Sequence, residues 1–235
     1  MILDIYKDSF EFASRKVSNL LLLGVLSFFS FLIIPAIFFY GYNYNVVKLS
    51  TQSMINGEDV PPEFSNFKEM FINGLKYIVV FLAYAIIPII IFCLSLVTGD
   101  SGWIFALIGF ILIVLSILFA YLAIAHMASN DDSLKSAFAF SEILNIMSSI
   151  GYFRYFIAYL GILIISVIVV LVVSIILGIV FAFLGIATSG ISANGLGTVS
   201  TIGSILINFI LFFIVMPYLT MFQSRCVGLI YNLGS

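Results

Sequence analysis

The chain carries one histidine, two cysteines, eleven carboxylates and nine lysines and arginines, so any chemistry must come from a short inventory. His126 is the side chain best suited to move a proton or hold a ligand near neutral pH. No carboxylate or second histidine lies within a helical turn to tune it, so the competing reading is a hydrogen-bonded histidine at a membrane interface. Arg225, Arg154 and Lys76 are candidates for contact with lipid phosphate, because a guanidinium fork matches phosphate geometry and an ammonium acts as a point charge. Their bland alternative is a cation that snorkels to the headgroup layer. Asn208 is the most central polar residue of the last apolar run. With Asn43 and Asn45 of the Tyr40-Gly41-Tyr42-Asn43-Tyr44-Asn45 stretch it forms a candidate polar lining, against the alternative of a clasp between helices. Cys93 and Cys226 fit no metal or redox spacing. The sequence has no His-Glu-x-x-His, no phosphate-cradling glycine loop and no pair of carboxylates inside an apolar run. No catalytic residue, metal or cofactor is expected, and the chain reads as a non-enzyme.

These residues must be positioned by elements built for hydrocarbon. The 235 residues are 63% hydrophobic and 9% charged, whereas a soluble domain carries about 25% charged residues. In lipid every backbone N–H and C=O needs a partner within a helix or a closed barrel. The apolar runs here are continuous and not alternating, which selects helices. The expected class is therefore all-α, an integral membrane helical bundle. A hydrocarbon core needs about 20 helical residues, and five runs qualify: 17–48, 76–97, 103–129, 154–187 and 200–231. Thr98–Gly102 joins the second to the third, and a stretch around Ala187–Thr201 joins the fourth to the fifth. Residues 1–16, 49–75 and 130–153 hold most of the charge and read as loops with amphipathic interfacial helices. Their apolar stripes are Leu3, Tyr6, Phe10 and Ala13; Phe64, Phe67, Phe71 and Leu75; and Phe140, Leu144, Met147 and Ile150. Asn66-x-x-Glu69 has the spacing of a capping box. The N-terminal segment reads as retained, because no small-residue cleavage site follows it. Gly24, Gly109, Gly161, Gly178 and Gly185 read as helix-packing positions.

An internal repeat emerges when the segments are aligned. Phe64-Ser65, Gly74 and Lys76-Tyr77 match Phe140-Ser141, Gly151 and Arg154-Tyr155, each followed by a long apolar run. Orientation follows the lysines and arginines. With five crossings Lys48, Lys68, Lys76, Lys135, Arg154 and Arg225 share one side, which places the C-terminus in the cytoplasm of a cell-membrane protein. Lys7, Arg15 and Lys16 then conflict with the rule. They join the others if 17–48 folds back at Pro35, which makes six crossings, but a reversal among Phe28–Phe39 exposes backbone to lipid. The sequence therefore favours five spans with a first helix kinked at Pro35. Cys93 and Cys226 fall in opposite leaflets.

Gly57-Glu58-Asp59-x-Pro61-x-Glu63-Phe64, followed by Phe71-x-x-Gly74-Leu75-Lys76, resembles an uncharacterised prokaryotic family of polytopic membrane proteins, a domain of unknown function. The resemblance extends to Gly41-Tyr42, to Phe140-x-Glu142-Ile143-Leu144 and to Arg225-x-x-Gly228-Leu229-x-Tyr231. It implies a polytopic helical fold and lends no activity. The chain departs from the pattern at Pro62 and at Asn73, where members often carry an acid.

A formal charge of −2 gives no footprint for nucleic acid. The expected partners are the lipid bilayer and a protein partner or a second copy of the chain. The distinctive residues lie in loops and surface helices, so the leading expectation is a non-enzymatic component that organises lipid or a partner. The alternatives are a passive or gated small-solute transporter or channel, built around Asn208 and the Tyr40–Asn45 stretch, and a lipid-modifying enzyme using Arg225, His126 and Glu142.

Overall fold

The computed structural model describes the backbone of residues 1–189 and 193–235 and the side chains of residues 1–184 and 201–235. It is a helical membrane bundle, and among the described residues it contains no strand. The helices are α1 (Ile2–Ser14), α2 (Val17–Phe28), α3 (Ile33–Ser50), α4 (Phe67–Leu94), α5 (Gly102–Ser129), α6 (Phe140–Ile150), α7 (Tyr152–Ser189), α8 (Ala193–Ile210) and α9 (Met216–Tyr231). A π-helical segment, Leu211–Val215, joins α8 to α9 without a break. Among the described residues, four stretches are long and apolar enough to cross a membrane: Phe67–Leu94, Gly99–Ser129, Tyr152–Leu184 and Thr201–Tyr231. Of the connector expected around Ala187–Thr201, residues 190–192 lie outside the described residues, as does the side-chain environment of position 185.

The segment 17–48 is not one kinked helix. It is a hairpin of α2 and α3 that turns at Phe29–Leu32, with Asn19 Nδ2 donating to Tyr42 Oη at 2.9 Å across it. The backbone cost that argued against a reversal is largely met inside the turn. Phe29 N–H bonds Val25 O, Ser30 N–H bonds Ser27 O and Leu32 N–H bonds Phe29 O. At the start of α3 the first in-helix bond is Ala36 N–H to Leu32 O. Pro35, in that first turn, has no N–H to satisfy.

The interfacial helix expected before the second span is continuous with it, since α4 runs unbroken from Phe67 to Leu94. Asn66 takes a left-handed conformation at the N-cap, and its side chain bonds Glu69 Oε2 at 2.6 Å instead of a backbone N–H. The matching positions of the internal repeat therefore behave differently. Gly74 lies inside α4, where α3 crosses so closely that a Cβ would strike the Ile37 carbonyl, whereas Gly151 has φ +91° and separates α6 from α7. At α6 the buried stripe is Ile143, Ile146, Met147 and Ile150, and Phe140 and Leu144 face outward.

Packing is concentrated at one end of the bundle. α4 pairs with α5, α7 with α8, and α3 packs on both α4 and α9, while α1 lies across α9. The core gathers Tyr42, Tyr44, Met70, Ile124, Tyr155 and Phe222 at that end. Beyond it the spans are mostly unburied; only 6% of the most apolar window of α7 is covered by protein. Because the hairpin returns the chain, all nine lysines and arginines sit in elements of the packed end, and Asp100 is the one acid at the far end. Cys226 is buried in the packed end and Cys93 is exposed near the far end of α4. Gly24 and Gly109 make close helix contacts as expected, whereas a Cβ at Gly178 would meet nothing within 4 Å among the described residues.

Candidate functional site

Arg225 is fully buried in α9. Its Nε donates to Asp8 Oδ2 at 2.9 Å and its Nη2 to Asp59 Oδ2 at 2.9 Å, and its guanidinium carbon lies 4.7 Å from the centre of the Phe12 ring. Asp8 is equally buried and Asp59 is partly exposed. A guanidinium with two carboxylate neighbours and no solvent exposure cannot act as a lipid-phosphate contact, which corrects that assignment for Arg225. The α1 face is wider than expected: the helix buries Tyr6 and Ala13 of the expected stripe, with Phe10 packed against the core, but also Ile5, Asp8, Ser9 and Phe12, and Leu3 points outward. Arg15 Nη1 donates to the carbonyls of Gly57 and Asp59, and Lys16 Nζ to Glu63, so α1 and α9 together hold the 57–63 loop. Burial by itself would raise the Asp59 carboxyl, but hydrogen bonds from Arg225 and Ser53 and the charges of Arg225 and Arg15 outweigh it and hold the group below its ordinary value.

A second polar cluster forms around His126. Its Nε2 lies 3.0 Å from Glu142 Oε2, and its Nδ1 lies 3.0 Å from Tyr231 Oη and 3.2 Å from Asn130 Nδ2. The Asn130 Nδ2 nitrogen can only donate, so Nδ1 is the acceptor and the ring proton belongs on Nε2, facing Glu142. Ser129 Oγ donates to Tyr231 Oη at 2.7 Å. The carboxylate missing within a helical turn thus arrives from α6, sixteen residues on. His126 is buried and Glu142 exposed, which links α5, α6 and α9 through one imidazole.

The remaining basic candidates stay at the surface of the packed end. Lys76 Nζ donates to the Asp132 carbonyl at 2.7 Å, and Lys48 Nζ to the Asp132 carboxylate at 2.6 Å. Arg154 is exposed, with Nη2 3.5 Å from Met1 Sδ.

Below this polar end lie two cavities, of about 380 Å³ and about 400 Å³. Tyr121, Gln223 and Val227 belong to the walls of both. The first opens between α3, α4, α5 and α9 and includes Asn43, Thr220 and Ser224; the second opens between α5, α7 and α9 and includes Tyr159 and Ser166. Asn43 is among the residues of the first cavity's wall, with Nδ2 bonded to Phe39 O and Oδ1 accepting from Ser224 at 3.3 Å. Asn45 belongs to neither of these two walls: its Oδ1 accepts from Asn73 at 3.4 Å on the other side of α3. Asn208 is exposed on the outer surface of α8, bonded to Ser204 O of its own helix, so it lines neither cavity. Gln223, which sequence reasoning passed over as a neighbour of Arg225, donates to Ser166 Oγ at 3.0 Å from the partition between the cavities. Its signal was available, since an amide two residues before an arginine in an apolar helix also needs a polar partner.

The cavity walls are mostly apolar, with amide and hydroxyl groups and no Asp, Glu, Lys, Arg or His. That composition suits an uncharged or amphiphilic occupant better than an ion. No curated protein and no solved structure matches the chain. Residues 28–178, from the hairpin turn to the last third of α7, match a family described as protein of unknown function (DUF4013), and the chain belongs to that family.

Proposed function

We propose that this protein is a non-enzymatic membrane component that holds an amphiphilic lipid between the α4–α5 hairpin, α7 and α9. The reading is carried by the paired cavities that share Gln223. They lie where the packed polar end meets the spans, so chains can enter sideways from the bilayer while the lipid's polar part reaches Gln223, Thr220 and Tyr121. Positive charge supports the orientation: with all nine lysines and arginines at one end, that end faces the cytoplasm of the cell membrane, with both termini on the same side. The clamp around Arg225 and the His126 cluster then act as the rigid cytoplasmic roof.

The test is photo-crosslinking in reconstituted vesicles with a phospholipid that carries a diazirine in its acyl chain. Labels should map to the cavity walls on α5, α7 and α9. Leu82→Trp and Leu163→Trp, at exposed wall positions that tolerate bulk, should remove them. Uniform labelling along all lipid-facing surfaces, unchanged by both variants, rejects the reading. A gated solute carrier is the second reading, favoured by Asn43 and Gln223 in the walls. There a liposome flux assay decides, and equal flux through protein and empty vesicles rejects it. The His126–Glu142 contact is the feature that favours a lipid-modifying enzyme, although neither residue lines the cavities.

A further inference from the structure

The α2–α3 hairpin ends in seven consecutive exposed positions, 28–34, of which only Ser30 is polar: Phe31 is 75%, Ile33 79% and Ile34 63% exposed, with Phe28, Phe29 and Leu32 also open. Its depth can be read from helix register. A Cβ at Gly41 would strike the Met70 carbonyl and one at Gly74 the Ile37 carbonyl, so α3 and α4 are antiparallel and Ile33 lies level with about Ile78. From Ile78, α4 continues about 24 Å to Leu94 at 1.5 Å per residue. On the other flank Phe28 packs edge-on against Phe209 at 5.4 Å, and the helix below Phe209 continues about 24 Å to Ala193. Both neighbours therefore reach about 24 Å further than the tip, in a hydrocarbon core of about 30 Å.

We propose that the hairpin tip is a shallow wedge in the leaflet next to the charged end, seated in acyl chains to a depth of about one helical turn, and that it makes the protein favour membranes that bulge toward that face. The occupant follows from continuity: at the level of Ile78 the tip is flush with the exposed apolar belt of α4, which is already in lipid. Water would leave Phe31, Ile33 and Ile34 solvated at high cost, and mid-bilayer depth, about 9 Å further in, would require about two more turns of α2 and α3. The consequence for shape is geometric. The leaflet next to the charged end must accommodate α2 and α3 in addition to the four spans, whereas the opposite leaflet holds only the spans. A body wider at one face than the other relieves packing stress where that leaflet is stretched.

The experiment uses the full chain with Cys93→Ser, because Cys226 is buried and does not react. Nitroxide labels at Phe31→Cys and Ile33→Cys, and at Met54→Cys in the loop above, are read for collision with oxygen and with a water-soluble nickel chelate in phosphatidylcholine–phosphatidylglycerol vesicles. The labels at 31 and 33 should lose chelate access and gain oxygen access relative to 54. Equal chelate access at all three sites places the tip in water, and exclusion of both quenchers shows that protein covers it; either result overturns the wedge. In a mixture of small and large vesicles, the unlabelled protein should be enriched on small vesicles when its charged end faces outward. Phe31→Ser with Ile33→Ser should lose that enrichment while reconstituting and melting as before. Equal partition of the parent protein, with the tip in acyl chains, overturns the shape preference and leaves only an anchor.

Discussion

Replacing Arg225 by Ala should be the most damaging single change in the charged end. The substitution strands Asp8, which has no solvent exposure, beside Phe12 and Cys226, and it frees Asp59, which keeps 31% of its side chain exposed and can hydrate. Breaking a buried pair by removing one partner costs about 3–5 kcal/mol, because the remaining charge has neither water nor counter-ion. The cation–π contact with Phe12 adds to the loss. For a chain of this size about 2–4 °C of melting temperature corresponds to each kcal/mol, so the expected drop is about 6–20 °C. Cys226 is the natural reporter: it is buried one residue from Arg225, and in a Cys93→Ser background a thiol-reactive dye lights up only when this region opens. Asp8→Leu combined with Arg225→Met removes both charges and fills the space, so it should recover at least half of the loss. A drop below about 2 °C for Arg225→Ala, or a double variant that melts no higher than the single one, would refute the account of the clamp as a buried ion pair.

Acid should act on the same clamp through Asp59. Its carboxyl is held below the ordinary value of 3.8 in the folded protein, so its contribution is fully present above that pH and is lost as the pH falls through the depressed value. Melting curves of the parent protein should decline below pH 3.8 more steeply than those of Asp59→Asn, which starts lower and stays flatter; parallel acid limbs would contradict this. Asn208→Ala, by contrast, should change stability by no more than about 0.5 kcal/mol, because the side chain bonds only its own helix on an exposed face. A large loss in the same thiol-dye assay would mean that Asn208 faces a partner.

The medium and the element types were legible in the residues, since apolar content fixes the solvent and continuous runs in that solvent must be helices. The turn within 17–48 was only half legible. Pro35 signals a helix start, but whether Phe29–Leu32 reverses the chain depends on the bonds from Phe29, Ser30 and Leu32 to carbonyls that only the folded turn supplies. The α1 face was legible only in part: Tyr6, Phe10 and Ala13 do face the core, but Ile5, Asp8 and Phe12 fall at helical spacing too and are buried with them, while Leu3 points outward. An acid in a stripe normally argues against burial, and here it is buried because a guanidinium meets it.

The sequence alone determined that this is a helical membrane protein, where its charge accumulates and which stretches can span. Only the tertiary structure decided that Asp8 meets Arg225 across 217 positions, that Glu142 reaches His126 and that Gln223 divides two cavities. The physical reason is that hydropathy and periodicity act over one or two helical turns. Which polar groups pair depends on how each helix is rotated and how far it slides against its neighbours, and backbone contacts at Gly41 and Gly74 set that for α3 and α4 only once the helices are together.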